Sequence, residues 1–167
     1  MTLQELNNLS FSEAYVQFET CCVSKNWITS MVNSRPMESI DKLINISNRA
    51  WQKCKKQDFL EAFKGHPKIG DVSSLAKKYA NTSDLAAHEQ SGVDSANDQT
   101  IELLAKGNQE YEKKFGFIFI VCATGKSAKE MLYLLEERIQ NNIDKELCIA
   151  AAEQHKITTI RLEKLLK

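Results

Sequence analysis

Apolar residues recur along the chain at spacings of three and four, the period of helices that bury one face. Three segments open with the form S/T-x-x-E: Thr2-Leu-Gln-Glu5, Ser10-Phe-Ser-Glu13 and Ser127-Ala-Lys-Glu130. In each, the hydroxyl can accept the glutamate N–H while the carboxylate reaches back to the cap N–H, so each predicts a helix start. The second predicts a helix through Ala14, Phe18 and Cys22, and the third one through Met131, Leu135 and Ile139. Trp27, Met31 and Val32 predict a short helix that ends before Arg35-Pro36. Ile40, Leu43, Ile44, Ser47 and Trp51 predict a longer one from Ser39 to about Lys56, followed by a helical turn around Asp58–Phe63. Ile101, Leu104, Asn108, Tyr111 and Phe115 follow one another at steps of 3, 4, 3 and 4, so that helix faces a core. The last helix is predicted from about Ile143 to Leu166, carried by Leu147, Ala151, Leu162 and Leu165.

Two stretches lack this period. Asn81 to Asp98 is polar and rich in small residues, with one short helical stretch near Asp84–Gln90. Phe117-Ile-Phe-Ile-Val-Cys-Ala123 is an apolar run that reads as a buried strand or a buried extended segment. A lone run has no second strand to pair with, so it is not counted as a sheet. With no internal repeat, linker or low-complexity segment, residues 1–167 are expected to form a single-domain, all-α helical bundle.

Composition narrows the partners. At 167 residues and 43% hydrophobic content, the chain can bury a core without disulfide or metal staples. Twenty-two basic residues balance twenty-two acidic ones, so the electrostatic footprint of a nucleic-acid or anionic-membrane surface is missing. No apolar run approaches the roughly 20 residues that span a bilayer. Five cysteines, odd in number and without a C-x-x-C pair, are expected to be reduced thiols in a cytoplasmic protein. Only four of the 22 basic residues are arginine (Arg35, Arg49, Arg138, Arg161), so an arginine on an apolar face is informative.

Two motifs fail on inspection. Ala123-Thr-Gly-Lys-Ser127 looks like the end of a phosphate-binding loop, but Ile120 stands where the first glycine of G-x-x-x-x-G-K-[ST] belongs. His88-Glu89 begins like H-E-x-x-H, but Gly92 occupies the second histidine position. No metal site is expected.

Three fragments carry chemistry. In Gly65-His66-Pro67-Lys68-Ile69-Gly70, Pro67 biases His66 toward extended geometry and the glycines permit tight turns. That holds an imidazole on a stiff loop, where it suits acid–base work near neutral pH or is simply solvated. Glu89-Gln90 offers a carboxylate beside an amide that can both donate to and accept from an amide- or urea-bearing ligand, or else an exposed helix end. Arg161 has Ile157 and Leu165 as its i−4 and i+4 neighbours, on the stripe expected to face the core. A guanidinium there grips a carboxylate, pairs with an internal glutamate or snorkels to the surface.

Together these fragments resemble the 2-oxo-4-hydroxy-4-carboxy-5-ureidoimidazoline (OHCU) decarboxylase family of uric acid breakdown. The matching features are Trp27 before Arg35-Pro36, Gly65-His66-Pro67-Lys68-Ile69-Gly70, Glu89-Gln90-Ser91, Tyr111-x-x-Lys114-Phe115-Gly116-Phe117-x-Phe119, Gly125-Lys126-Ser127, and Lys156-Ile157 leading into Arg161-Leu162. The resemblance implies an all-helical, cofactor-free enzyme, usually a homodimer, that converts OHCU to (S)-allantoin and carbon dioxide. It gives His66 the catalytic histidine's role and Glu89 its acidic partner's, and lines the substrate with Pro67, Gln90, Arg161 and the backbone of Phe119, Ile120, Val121, Cys122 and Ala123. A helical ureide-binding module without catalysis, or a decarboxylase or hydrolase of a related ureide, is the alternative. Three positions depart from the family: Ala86 stands where a serine is frequent, Lys68 replaces a commoner arginine, and Ile118 a commoner proline. These touch substrate affinity more than the proposed catalytic groups.

Overall fold

Among the described residues of the computed structural model, all regular structure is helical: α1 (Leu3–Asn8), α2 (Phe11–Glu19), α3 (Lys25–Asn33), α4 (Ile40–Lys53), α5 (Lys56–Lys64), α6 (Val72–Ala80), α7 (Gln90–Phe115), α8 (Ala128–Ile139) and α9 (Ile143–Leu165). The described residues are 1–66, 72–80 and 90–166, with the helix course alone at 78–80 and 90–97. They fall into two compact units, Met1–His66 with Ile149–Lys167, and Pro67–Cys148.

The helix starts follow the local chemistry. Thr2, Ser10 and Ser127 each form a reciprocal capping box with the glutamate three residues on, opening α1, α2 and α8. Each such cap is worth about 1 kcal/mol. Ser39 caps α4 by accepting the Lys42 N–H.

In the first unit, α3 packs against α2, α4 and α5. Its Trp27 is fully buried, edge-on to Phe18 with ring centroids 6.0 Å apart, and its indole N–H donates to Ser47 Oγ of α4. Burying side chains such as Phe18, Ile28, Met31 and Leu43 contributes about 1.5–3 kcal/mol each. Asp58 joins α5 to α3 by accepting from Asn26 Nδ2 at 2.6 Å while it also accepts the Lys55 N–H at 2.7 Å. Arg35 donates to the carbonyls of Leu6 and Leu9 at 2.8 and 2.7 Å, which satisfies the open end of α1. The Arg35-Pro36 pair thus has a structural use.

In the second unit, α7 packs against α8 and α6 around Leu75, Ile101, Leu104, Ala105, Met131 and Leu135. Gly107 allows the approach of α8: a Cβ there would lie 2.6 Å from Leu135 Cδ2. Residues 117–123 are neither helix nor strand, and Phe119, Val121 and Ala123 pack against this cluster.

The chain departs from the periodicity in several places. Helix α7 begins at Gln90, inside the stretch read as polar and irregular, because extending an established helix adds one hydrogen bond per residue fixed. Helix α6 was not predicted. Helix α2 stops at Glu19, so Cys21 and Cys22 follow it, buried; α4 and α5 are separated at Cys54 rather than running to Lys56. Gly65 has φ −74°, so no left-handed turn requires it; a Cβ there would lie 2.8 Å from both Val23 methyls. Its use is space, not conformational freedom. The stretch 67–71 and residues 81–89, including the predicted helical turn near Asp84, lie outside the described residues.

Candidate active site

His66 follows the C-terminus of α5, its N–H donating to the Phe63 carbonyl at 3.2 Å. The imidazole is half-buried, and its Nε2 lies 2.6 Å from Oε1 of Gln154 on α9. Gln154 is fully buried, and its Nε2 donates to Oγ1 of the equally buried Thr158 one turn on, at 3.2 Å. Burial is the main force holding the His66 pKa below its ordinary value; the Arg161 charge acts in the same direction and the Gln154 hydrogen bond acts against both. The side chain is therefore a neutral imidazole near pH 7, a state able to accept a proton.

Arg161 lies on the same helix, with Nη1 donating to the Cys21 carbonyl at 3.2 Å. Among the described residues, no carboxylate lies within ion-pair distance of it. The buried stripe of α9 runs Leu147, Ala151, Gln154, Thr158, Leu162, and Arg161 sits half-buried at its edge beside Ile157 and Leu165. That corrects the expectation that Arg161 would lie on the core-facing stripe itself: two polar residues occupy its middle. Cys21 and Cys22 stay protonated because burial pushes their thiols up, Cys22 to about 11.

The arginine that is buried is Arg138, on α8, which the sequence reading passed over. Its Nε and Nη2 donate to Glu146 Oε1 at 2.8 and 2.5 Å, and its Nη1 donates to the Ile120 carbonyl at 2.8 Å. Tyr111 donates its hydroxyl to the same carboxylate oxygen, and Asn141 Nδ2 donates to Oε2 at 2.8 Å. The guanidinium carbon also lies 4.6 Å from the centre of the Phe119 ring. Lys126 Nζ donates to the Cys122 carbonyl at 2.8 Å. Two carbonyls of the 119–123 segment are thus held by cations from its own unit.

Of the residues singled out by sequence, His66 and Arg161 are brought together, and Phe119, Ile120, Val121, Cys122 and Ala123 form one anchored segment in the other unit. Pro67 and Glu89 lie outside the described residues, as do Lys68 and Ala86; Gln90 is the first residue of α7. Gln154, Thr158 and Arg138 were missed. The available signal was a polar i, i+4 pair interrupting an otherwise apolar stripe on α9.

Comparisons with known proteins agree in direction. A uric acid degradation bifunctional protein TTL of Arabidopsis thaliana is 36% identical over 151 residues, which cover 89% of this chain and 46% of that protein. The chain thus spans less than half the length of that relative. The 2-oxo-4-hydroxy-4-carboxy-5-ureidoimidazoline decarboxylase of Haloferax volcanii is 24% identical over 163 residues, 97% of this chain and 94% of that one. A crystal structure of OHCU decarboxylase in the presence of (S)-allantoin superposes with a TM-score of 0.71 at 36% identity, covering 90% of this chain and 96% of that chain. Residues 7–163 match the family model for OHCU decarboxylase, and the chain belongs to that family.

Proposed function

We propose that this chain decarboxylates 2-oxo-4-hydroxy-4-carboxy-5-ureidoimidazoline to (S)-allantoin. The observation that carries the reading is His66: a neutral, half-buried imidazole, hydrogen-bonded to Gln154 and close to Arg161, at the motif position of the family's catalytic histidine.

The substrate carries a carboxylate and a hydroxyl on one ring carbon, beside a carbon doubly bonded to nitrogen. When the bond to the carboxylate breaks, its electron pair forms a double bond between the two ring carbons, and the C=N pair moves to nitrogen, which takes a proton from solvent. The substrate supplies its own electron sink. The resulting enol then loses its hydroxyl proton and gains a proton on the neighbouring carbon, which sets the stereocentre. His66 accepts the hydroxyl proton and returns it to that carbon from one side. Burial and the Arg161 charge disfavour the imidazolium, so once charged it gives its proton back readily. Arg161, with no carboxylate partner among the described residues, holds an anionic oxygen of the substrate. Glu89 sets the protonation of His66 and hydrogen-bonds the substrate, and Pro67, Gln90 and the backbone of Phe119–Ala123 line it. Those roles rest on the matching motif positions. The homodimer rests on the same resemblance, and the cytoplasmic location on five cysteines that form no disulfide with one another. Among the described residues, no helix is long and apolar enough to cross a membrane.

The test is stereochemical. Uric acid is fed through urate oxidase and the preceding hydrolase, and allantoin is followed by circular dichroism. Spontaneous decay gives racemic product, so an accelerated, (S)-enriched signal is the expected result. Tight allantoin binding without acceleration would instead make the chain a ureide-binding module.

A further inference from the structure

Thr158 has one hydroxyl proton, and it donates that proton to the Gln154 backbone carbonyl one turn earlier, at 3.0 Å. Toward the Gln154 side chain, 3.2 Å away, the hydroxyl oxygen can then only accept, so the amide presents its Nε2 to it. The amide oxygen is left facing His66, 2.6 Å from the imidazole Nε2. An amide oxygen never donates, so the imidazole nitrogen must.

We infer that Gln154, itself oriented by Thr158, locks His66 in the tautomer with the proton on Nε2, which assigns Nδ1 as the nitrogen that exchanges protons with the substrate. The inference rests on the proposed catalytic role of His66. Both positioning residues are fully buried and come from one helix, so neither can swing away to offer another partner. Among the described residues, the charge that bears on His66 is Arg161, on the same helix, and it also bears on the Cys21 and Cys22 thiols after α2. Both thiols remain uncharged at neutral pH. Gln154 is a positioning residue: it acts on the substrate only through the imidazole it turns and holds.

The experiment is nitrogen-15 and proton NMR on the full chain with labelled histidine at pH 8, without substrate, with the His66→Asn spectrum used for assignment. The expected wild-type spectrum has a hydrogen-bonded ring N–H on Nε2 of His66, slow to exchange, and an unprotonated Nδ1. That N–H signal should be lost in Gln154→Met, weakened in Thr158→Val and restored in Thr158→Ser. In Gln154→Met, kcat should fall about tenfold, the order seen when the partner orienting a functional histidine is removed. A wild-type His66 protonated on Nδ1, or an Nε2–H signal unchanged in both Gln154→Met and Thr158→Val, would overturn the inference. The Thr158 pair keeps the test available if Gln154→Met does not fold. Because the spectrum needs no turnover, the tautomer is read independently: full activity in His66→Asn would refute the catalytic reading while leaving the N–H assignment measurable.

Discussion

Glu146 receives both Nε and Nη2 of Arg138 on a single carboxylate oxygen, Oε1, in a site where the carboxylate is fully buried. Through Nη1 the same guanidinium holds the Ile120 carbonyl, so an ion pair in the α7–α8 unit sets the course of the 117–123 segment. Breaking such a pair from one side leaves a buried charge uncompensated. Arg138→Met and Glu146→Leu are each expected to cost about 3–5 kcal/mol in urea unfolding. The double variant should cost clearly less than their sum. Losses below about 1 kcal/mol for both single variants would contradict this.

His66→Asn keeps a polar side chain but removes the titratable nitrogen. Turnover should fall roughly 10²-fold or more, with the far-ultraviolet spectrum unchanged. Arg161→Lys keeps the charge and loses the planar fork, so substrate binding should weaken. Unchanged KM and kcat in Arg161→Lys would make Arg161 a structural residue.

The pH profile has a definite sign. As the proposed base, His66 would work from its neutral form, and its pKa lies below the ordinary 6.5. The acid limb of kcat/KM should therefore have its midpoint below 6.5, the rate being half its plateau value there. A midpoint above the ordinary value, measured in low-salt buffers of constant ionic strength, would argue against His66 as the base.

His155 is a separate source of acid sensitivity. It stacks on Trp51 with ring centroids 5.9 Å apart and an interplanar angle of 8°, and its Nε2 lies 2.7 Å from Asn48 Oδ1. Its buried Nδ1 has no hydrogen-bond partner among the described residues, and burial lowers its pKa. The unfolded chain binds the proton more readily, so this contribution to stability is full above about 6.5 and lost as pH falls from there to the native value. His155→Phe keeps a ring against Trp51 and should flatten the fall in unfolding free energy between about pH 7 and 5. His66, also lowered, sustains part of the slope. Equal slopes in wild type and variant would refute the assignment.

Chelation supplies a further check. The family resemblance implies chemistry without a metal. Activity should survive exhaustive EDTA treatment; a loss restored by zinc would overturn that expectation.

Helix starts and faces were legible because they are short-range. Ser10 and Glu13, or Ser127 and Glu130, satisfy each other within four residues, and the spacing of Ile101, Leu104, Tyr111 and Phe115 repeats with the helix itself. The chemistry expected of His66 and Arg161 rests on an ordered set of motifs rather than on any one of them. Pairings between different elements were not legible. His66 meets Gln154 across 88 positions, and Arg138 meets the Ile120 carbonyl and Glu146 from a separate helix. Gln154, Thr158, Arg138 and Glu146 were missed for one reason: nothing in the local pattern sets an inward polar residue apart from a solvated one, yet all four are buried with their hydrogen bonds made. The local pattern of residues determined an all-helical chain, its caps and the imidazole. Which polar groups go inside, and which nitrogen of His66 carries the proton, was decided only by the tertiary structure, because a buried donor or acceptor is tolerated only where packing brings it a partner.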